Sequence, residues 1–187
     1  MHQAWHSARL LLLALALAPF GYYLLAMASA IRFFRRRGSG EPAEPAFAPA
    51  ISILKPCRGL DFEAYENFAS FCRLEYPQYE VLFAVSDPAD PVVAVIEQVM
   101  RDFPRVEMRL LRGAPAAGAN GKVNKLIRLA AEARYDLLVI NDSDVRVTPE
   151  YLRRVAEPFR EAHVGAATAM YRAETHGSLG AELEAIG

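Results

Sequence analysis

The longest apolar run in the chain lies near its start. Between Leu10 and Ile31, 22 consecutive positions carry no charged residue. Because about 20 apolar residues in a helix cross the roughly 30 Å hydrocarbon core of a bilayer, the run predicts a transmembrane helix over residues 10–31. Arg32 and three further arginines at positions 35–37 follow at once. By the positive-inside rule, this cluster places the rest of the chain in the cytoplasm.

A cleaved signal peptide is the alternative interpretation of the same run. Ala28-Ser29-Ala30 resembles a small-residue cleavage site. The run is longer than the apolar core of a signal peptide, which is about 7–15 residues, and arginines directly after it resist export. We therefore expect a retained single anchor in the inner membrane.

From residue 50 onward, short apolar runs alternate with segments of helical periodicity. A basic flank and a Gly/Pro-rich linker over residues 32–49 separate this region from the apolar run. Strands alternating with helices imply a parallel sheet covered on both faces. The predicted strands are 50–54, 79–85, 106–111, 137–140 and 164–170. The predicted helices are 61–72, 91–103 with Asp90 as N-cap, 122–133, and one opening at Thr148 that Pro158 bends or ends.

Composition narrows the class of protein. The 187 residues are enough for one domain and a short appendage, and 53% of them are hydrophobic, which excludes a disordered chain. The 21 basic and 22 acidic residues nearly balance, so no nucleic-acid partner is expected. Two cysteines, Cys57 and Cys72, are too few for a disulfide framework and suit a reducing compartment.

The strongest candidate chemistry follows the strand at 137–140. Asp142 and Asp144 are two positions apart, so in an extended chain both carboxylates point the same way. Ligands bind beyond the carboxyl ends of parallel strands, and paired carboxylates there can hold Mg²⁺ or Mn²⁺, which neutralises a diphosphate. The alternative is that both are turn residues that cap nearby backbone N–H groups.

Two further loops at predicted strand ends carry candidate ligands. Asp87 follows the second strand, has no evident structural role, and could accept hydrogen bonds from a base or ribose. Lys122 ends a Gly/Ala-rich loop at a helix N-terminus, a favourable place for an anion, although the loop is not a Walker A motif. A flexible connector with a solvated lysine is equally compatible with that loop. Cys57 has no base placed near it by the sequence, which disfavours a nucleophile.

Several motifs together resemble one family. They are Ile53-Leu54-Lys55-Pro56, Gly59-Leu60-Asp61, Tyr65-Glu66-Asn67, the segments 86–91 (SDPADP) and 120–126 (NGKVNKL), and 141–147 (NDSDVRV). In this order they are similar to the ceramide glucosyltransferase-like family, which are family-2-type glycosyltransferases of GT-A fold and include hopanoid biosynthesis glycosyltransferases. The resemblance covers residues 50 to about 172, and the N-terminal anchor with its arginine cluster is similar too.

The resemblance implies roles by position. Asp87 matches the aspartate that contacts the uracil and ribose of a UDP-sugar. Asp142 matches the DxD-type residue at the ribose–sugar region, Asp144 the one at the divalent metal (Mg or Mn), with Asp142 as its companion carboxylate. Lys122 falls in the basic loop near the donor. The implied activity is transfer of a hexose or N-acetylhexosamine to a lipid alcohol, either ceramide-like or hopanoid.

The chain departs from the family pattern after residue 172. A third aspartate acting as general base, a Q/R-x-x-R-W motif and C-terminal membrane segments have no counterpart, and Glu174, Glu182 and Glu184 stand in no matching motif. We therefore expect residues 50–187 to be an incomplete GT-A domain from a longer enzyme, inactive alone, with its base beyond Gly187.

Two alternatives stay open on sequence alone. A haloacid-dehalogenase-type phosphatase also carries a DxD after an apolar strand, with the first aspartate as nucleophile. That motif usually opens the sheet, whereas three predicted strands precede it here. The other alternative is a membrane-tethered nucleotide-sugar-binding protein without catalysis.

Overall fold

The computed structural model describes residues 2–36, 47–113 and 118–169. The chain divides into two units, residues 1–46 and 47–187. The first contains α1 (His2–Arg36), a helix of 35 residues with Pro19 inside it. By length and composition, the stretch Leu15–Arg32 of α1 could cross a membrane. This agrees with the apolar helix that the sequence predicts.

The second unit is built on a parallel sheet. Its strands are β1 (Ile51–Pro56), β2 (Tyr79–Val85), β3 (Glu107–Arg112) and β4 (Leu137–Ile140). They lie in the order β3-β2-β1-β4, and all three pairs are parallel. The carboxyl ends of all four strands therefore meet at one edge of the sheet, where the predicted site residues follow.

Helices cover both faces of this sheet. They are α2 (Ala64–Cys72), α3 (Val92–Asp102), α4 (Gly121–Glu132) and α5 (Tyr151–Ala156), the last continued by a 3₁₀ turn, Glu157–Arg160. On one face Ile53 packs in a core with Phe68, Phe83, Ile96 and Leu152. On the other, Leu54 packs with Leu82 and Leu129 of α4. The alternation along β1 follows from the two-residue period of a strand.

Along β4 the second face is less well covered. Leu138 and Ile140 are 39% and 54% exposed, whereas Val139, which points to the opposite face, is buried. β4 is also an edge strand, paired only with β1 in the described part of the chain.

β1 extends two residues beyond the predicted strand. Pro56, the last residue of β1, lies opposite Ala84 of β2. Ile51 and Cys57 donate their N–H groups to the β2 side, so the N–H position of Pro56 faces the β4 side, where β4 has already ended at Ile140. Since no ladder bond is lost there, proline is tolerated at this position.

The predicted fifth strand is wrong over its described part. Residues 164–169 form no regular structure and are almost entirely exposed, while Met170 lies outside the described residues. The segment VGAATA carries mainly small side chains, and these bury too little apolar surface to hold a strand against the sheet.

The first predicted helix begins later than expected. Glu63 precedes α2 with a φ of +52°, and Phe62 is 73% exposed instead of packing on a helical face. The other predicted helices lie within one to three residues of α3, α4 and α5. Residues 37–46, 114–117 and 170–187, with most of the linker, the loop centre and the late glutamates, lie outside the described residues.

Candidate functional site

A cavity of about 760 Å³ opens at the carboxyl ends of β1, β2 and β4, beside the start of α4. The four residues that sequence reasoning assigned to a site, Asp87, Lys122, Asp142 and Asp144, all line it. The remaining lining residues are Pro56, Arg58, Asp61, Ser86, Asp90, Asn120, Gly121, Lys125 and Ser143. The fold therefore brings together four predicted residues that are up to 57 positions apart in the chain.

Asp142 and Asp144 lie on a turn, not on an extended strand as expected. The N–H of Val145 donates to the carbonyl oxygen of Asp142 at 3.4 Å, and the Ser143 hydroxyl donates to Asp61 Oδ2 at 2.5 Å. The turn still directs both carboxylates to the cavity. Neither caps a backbone N–H among the described residues, so the capping alternative is not what this structure shows.

The two carboxylates differ in their surroundings. Asp142 Oδ1 lies 2.5 Å from Lys122 Nζ, and the two side chains are 47% and 53% exposed. Asp144 makes no hydrogen bond or ion pair with any other residue in the described ranges. Asp142 is thus compensated by a cation of the chain itself, whereas Asp144 is available to one from solution.

The N-terminus of α4 is capped by the chain itself. Asn120 Oδ1 accepts hydrogen bonds from the N–H groups of Lys122 and Val123, at 3.0 and 3.2 Å. These are the first-turn donors that an anion would otherwise use. An anion at this end of α4 would therefore contact the side chain of Lys122 instead of these two backbone N–H groups.

Asp87 has the structural contact that sequence reasoning did not foresee. Its Oδ1 accepts a hydrogen bond from the N–H of Ala89 at 2.9 Å, which stabilises the turn after β2. The side chain remains exposed at the cavity, and its second oxygen accepts no hydrogen bond from the described residues.

Asp90 joins two loops. Oδ1 accepts from the N–H of Val92 at 3.0 Å, as expected for a residue at the start of α3. Both carboxylate oxygens also accept from the N–H of Gly59, at 2.9 and 3.1 Å. Gly59 has a φ of +71°, a conformation that glycine adopts without strain. Both carboxylate oxygens of Asp90 therefore accept hydrogen bonds that stabilise the loop after β1 and the start of α3.

Two lysines that sequence reasoning missed are buried beside the cavity. Lys55, at the end of β1, is fully buried, and its Nζ donates to the main-chain oxygen of Asp142 at 2.8 Å. Burial lowers the pKa of Lys55 to about 7, against the raising effect of Cys57 and the nearby carboxylates. Lys125, on α4, donates to the main-chain oxygen of Cys57 at 2.8 Å, and burial lowers its pKa too.

The loop after β1 also presents an arginine to the cavity. Arg58 lies between Cys57 and Gly59, whose backbone groups are held by Lys125 and Asp90. Its guanidinium lines the cavity and makes no hydrogen bond or ion pair within the described part of the chain. The thiol of Cys57 itself is buried, and burial raises its pKa to about 12, which agrees with the expectation that it is no nucleophile.

A signal for the missed lysines is present in the sequence. Only three of the 21 basic residues are lysines, Lys55, Lys122 and Lys125, and the rest are arginines. All three lysines contact the loops around the cavity. An ammonium is a compact charge with three donors, and it fits a single carbonyl where a planar guanidinium does not.

The donor set fits a hard divalent cation that arrives with a ligand. No group of three or more possible ligands occurs among the described residues. Mg²⁺ in phosphate-handling sites is held by one or two carboxylates together with phosphate oxygens and water. Asp144, with Asp142 beside it, matches this pattern.

Comparison with known protein families assigns the chain to one of them. The family described as glycosyl transferase family 21 matches residues 11–187. The chain belongs to this family. Its membership confirms the predicted resemblance and leaves the phosphatase alternative without support.

Curated relatives of this family member include lipid glucosyltransferases. Ceramide glucosyltransferase 3 of Caenorhabditis elegans is 32% identical over 62% of this chain and 25% of its own length. Beta-monoglucosyldiacylglycerol synthase of Synechocystis is 31% identical over 63% of this chain and 24% of its own length. The chain thus spans about a quarter of the length of these relatives.

A solved structure confirms the GT-A-like fold. The mannosyltransferase PcManGT from Pyrobaculum calidifontis, in complex with GDP-Man and Mn²⁺, superposes with a TM-score of 0.63. It is 21% identical, and the match covers 82% of this chain and 44% of that one. At this identity the likeness concerns the fold, a mostly parallel sheet with helices on both faces.

Proposed function

We propose that this family 21 protein is a membrane-anchored glycosyltransferase that moves a hexose or N-acetylhexosamine from a UDP-sugar to a lipid alcohol. The observation that carries the proposal is the single cavity edge at which Asp87, Lys122, Asp142 and Asp144 meet. The relatives named above, a ceramide glucosyltransferase and a beta-monoglucosyldiacylglycerol synthase, support a hydroxyl-bearing lipid as acceptor. A hopanoid is a further acceptor of this class.

In this proposal the residues divide along the sheet edge. Asp87, after β2, accepts hydrogen bonds from the base and ribose through its uncommitted oxygen. Asp144, after β4, would hold Mg²⁺ or Mn²⁺ with Asp142, and the metal would supply charge stabilisation to the departing diphosphate. Lys122, now paired with Asp142, turns to the diphosphate as negative charge develops there.

We further propose that α1 is a retained anchor in the inner membrane and that the domain after it is cytoplasmic. The apolar stretch Leu15–Arg32 and the arginines beside it support this topology. A periplasm-dependent reporter fused after Gly187 is expected to stay silent. Strong periplasmic activity of the reporter would favour the cleaved signal peptide instead.

Nucleotide binding tests the donor site directly. Calorimetry on the 187-residue chain in detergent is expected to show UDP binding that strengthens when Mn²⁺ replaces EDTA. GDP and ADP serve as matched nucleotides that lack the uracil. Absence of UDP binding in folded protein would overturn the donor assignment.

Glycolipid formation tests the transfer. Membranes that contain the full-length product of the gene are incubated with radiolabelled UDP-glucose or UDP-N-acetylglucosamine and with ceramide, diacylglycerol or a hopanoid alcohol. A labelled lipid is the expected product. UDP binding with no labelled lipid from any acceptor would favour the tethered nucleotide-sugar-binding protein.

A further inference from the structure

Lys55 stands under the turn that carries Asp142 and Asp144. It is fully buried on the end of β1, with its Nζ 3.8 Å from the centre of the Phe71 ring. Its hydrogen bond at 2.8 Å goes to the main-chain oxygen of Asp142, 87 residues further along the chain. The lysine therefore ties the central strand to the turn after the edge strand.

A buried lysine side chain such as that of Lys55 is an unfavourable source of folding stability. Among the described residues Lys55 forms no ion pair, although the carboxylates of Asp61, Asp142 and Asp144 act on it from a distance. A buried ammonium without a paired carboxylate carries a large desolvation cost, and a well-packed apolar side chain is often as stable or more so. A methionine of similar length would fill the space against Phe68 and Phe71. The contact that methionine could not make is the hydrogen bond to Asp142.

Lys125 makes a similar hydrogen bond to the backbone of the loop after β1. Its Nζ donates to the main-chain oxygen of Cys57 at 2.8 Å, at the base of the loop that carries Arg58. Lys55 thus donates to the turn that carries Asp142 and Asp144, and Lys125 donates to the loop after β1, which carries neither of these carboxylates. A variant of either lysine can serve as the control for the other.

We propose that Lys55 is a positioning residue that holds the Asp142–Asp144 turn in the geometry required for a divalent cation and the diphosphate it accompanies. The inference rests on the proposed donor site and deepens it. Lys55 touches neither the nucleotide nor the metal; it acts through the backbone of Asp142. Lys125 does the same for the loop after β1, and so affects nucleotide binding whether or not a metal is present.

The test compares UDP affinity in EDTA with UDP affinity in Mn²⁺, on the 187-residue chain in detergent. In the native protein Mn²⁺ is expected to tighten UDP binding, and this increase in affinity is the metal-dependent gain. Lys55→Met is expected to reduce this gain about tenfold, the effect of losing one hydrogen bond from a charged donor. Affinity in EDTA stays nearly unchanged. Lys125→Met is expected to weaken UDP binding in both conditions and to leave the gain intact.

The melting temperature separates positioning from plain structural support. Because Lys55→Met removes a buried charge, it is expected to melt at the same temperature as the native protein or higher. If Lys55→Met does not fold, Lys55→Gln, which is neutral and too short to reach the carbonyl, carries the same comparison. A lower melting temperature with an unchanged metal-dependent gain overturns the proposal, and so does an equal loss of gain in Lys125→Met. A native protein without any metal-dependent gain would instead refute the proposed metal site.

Discussion

Lys122 and Asp142 form an ion pair across the cavity, with Nζ and Oδ1 2.5 Å apart. A cation that approaches Asp142 must therefore compete with an ammonium that the chain supplies. Lys122→Gln is expected to raise the affinity for Mn²⁺ alone several-fold and to lower the affinity for UDP in the presence of Mn²⁺. Mn²⁺ titration followed by electron paramagnetic resonance measures the first effect, and calorimetry the second. Lys122→Arg, which keeps the charge, should resemble the native protein more closely, and changes of the same sign in both affinities would contradict the competition.

Asp144 is the carboxylate without a partner in the described part of the site, so its removal tests the metal directly. Asp144→Asn preserves the shape of the side chain and removes the charge. Glycolipid formation by the full-length gene product in membranes is expected to fall by roughly 10²–10³, the loss typical of one group that acts on developing charge. Asp136→Asn, an exposed carboxylate just before β4, is the matched control. Native turnover in Asp144→Asn with Mn²⁺ supplied would show that Asp144 is only a turn residue.

Arg58 is expected to bind the phosphates of the donor, because it is the uncommitted cation on the cavity wall within the described residues. Arg58→Gln should weaken UDP binding about tenfold, as for a charged hydrogen bond, and leave uridine binding unchanged. Arg101→Gln, on the last turn of α3, provides the control. Equal losses for UDP and uridine would place the guanidinium against the base instead.

The pH dependence of stability follows from Lys55. Its pKa is about 7 in the folded protein and 10.5 in the unfolded chain. Between these values the unfolded chain binds the extra proton, so the free energy of unfolding rises with pH, by at most about 1.4 kcal/mol per pH unit. Urea titrations of the native protein between pH 7 and 9, without metal, should show this rise, and Lys55→Met should lack it. A parallel pH dependence of the two proteins would exclude the titration of Lys55.

Asn120 tests how far α4 depends on its cap. Asn120→Ala removes the acceptor for two N–H groups at the helix start and is expected to destabilise the protein by about 1 kcal/mol. Asn120→Asp keeps the acceptor and should retain most of the stability. Urea unfolding of both variants gives the comparison, and an unchanged midpoint in the alanine variant would show that the cap contributes nothing.

The strands that the sequence predicted well are those with continuous apolar runs between turn residues. Residues 79–85 match β2, which is buried along nearly its whole length, and residues 137–140 match β4, which is apolar on both faces although one face is only partly covered. The segment at 164–170 is likewise uncharged, but it carries mainly small side chains. Hydropathy alone does not report how much surface a residue can bury, so that prediction failed.

The part of the site that the sequence predicted consists of residues at the ends of regular elements. Asp87, Lys122, Asp142 and Asp144 follow or precede regular elements, and the topology of a parallel sheet brings such positions to one edge. Lys55 was overlooked because it lies inside β1, beyond the predicted strand at 50–54, and a charged residue is not expected inside a buried strand. Its partner is a backbone oxygen on another strand, and no periodicity in one segment reveals a contact of that kind.

Because β4 lies at the edge of the described sheet, we expect the site to open separately from the rest of the domain. Within the described residues, the four residues of β4 pair with β1 alone, and Leu138 and Ile140 are only partly covered. Segments with few buried contacts open locally at a lower free energy than the whole domain. Detachment of this one strand would carry the Asp142–Asp144 turn away from Lys55 and abolish the cation site, while β1, β2 and β3 stay folded. Backbone amides of β4 should therefore exchange with solvent sooner than those of β2, and a bound nucleotide with its metal should slow them.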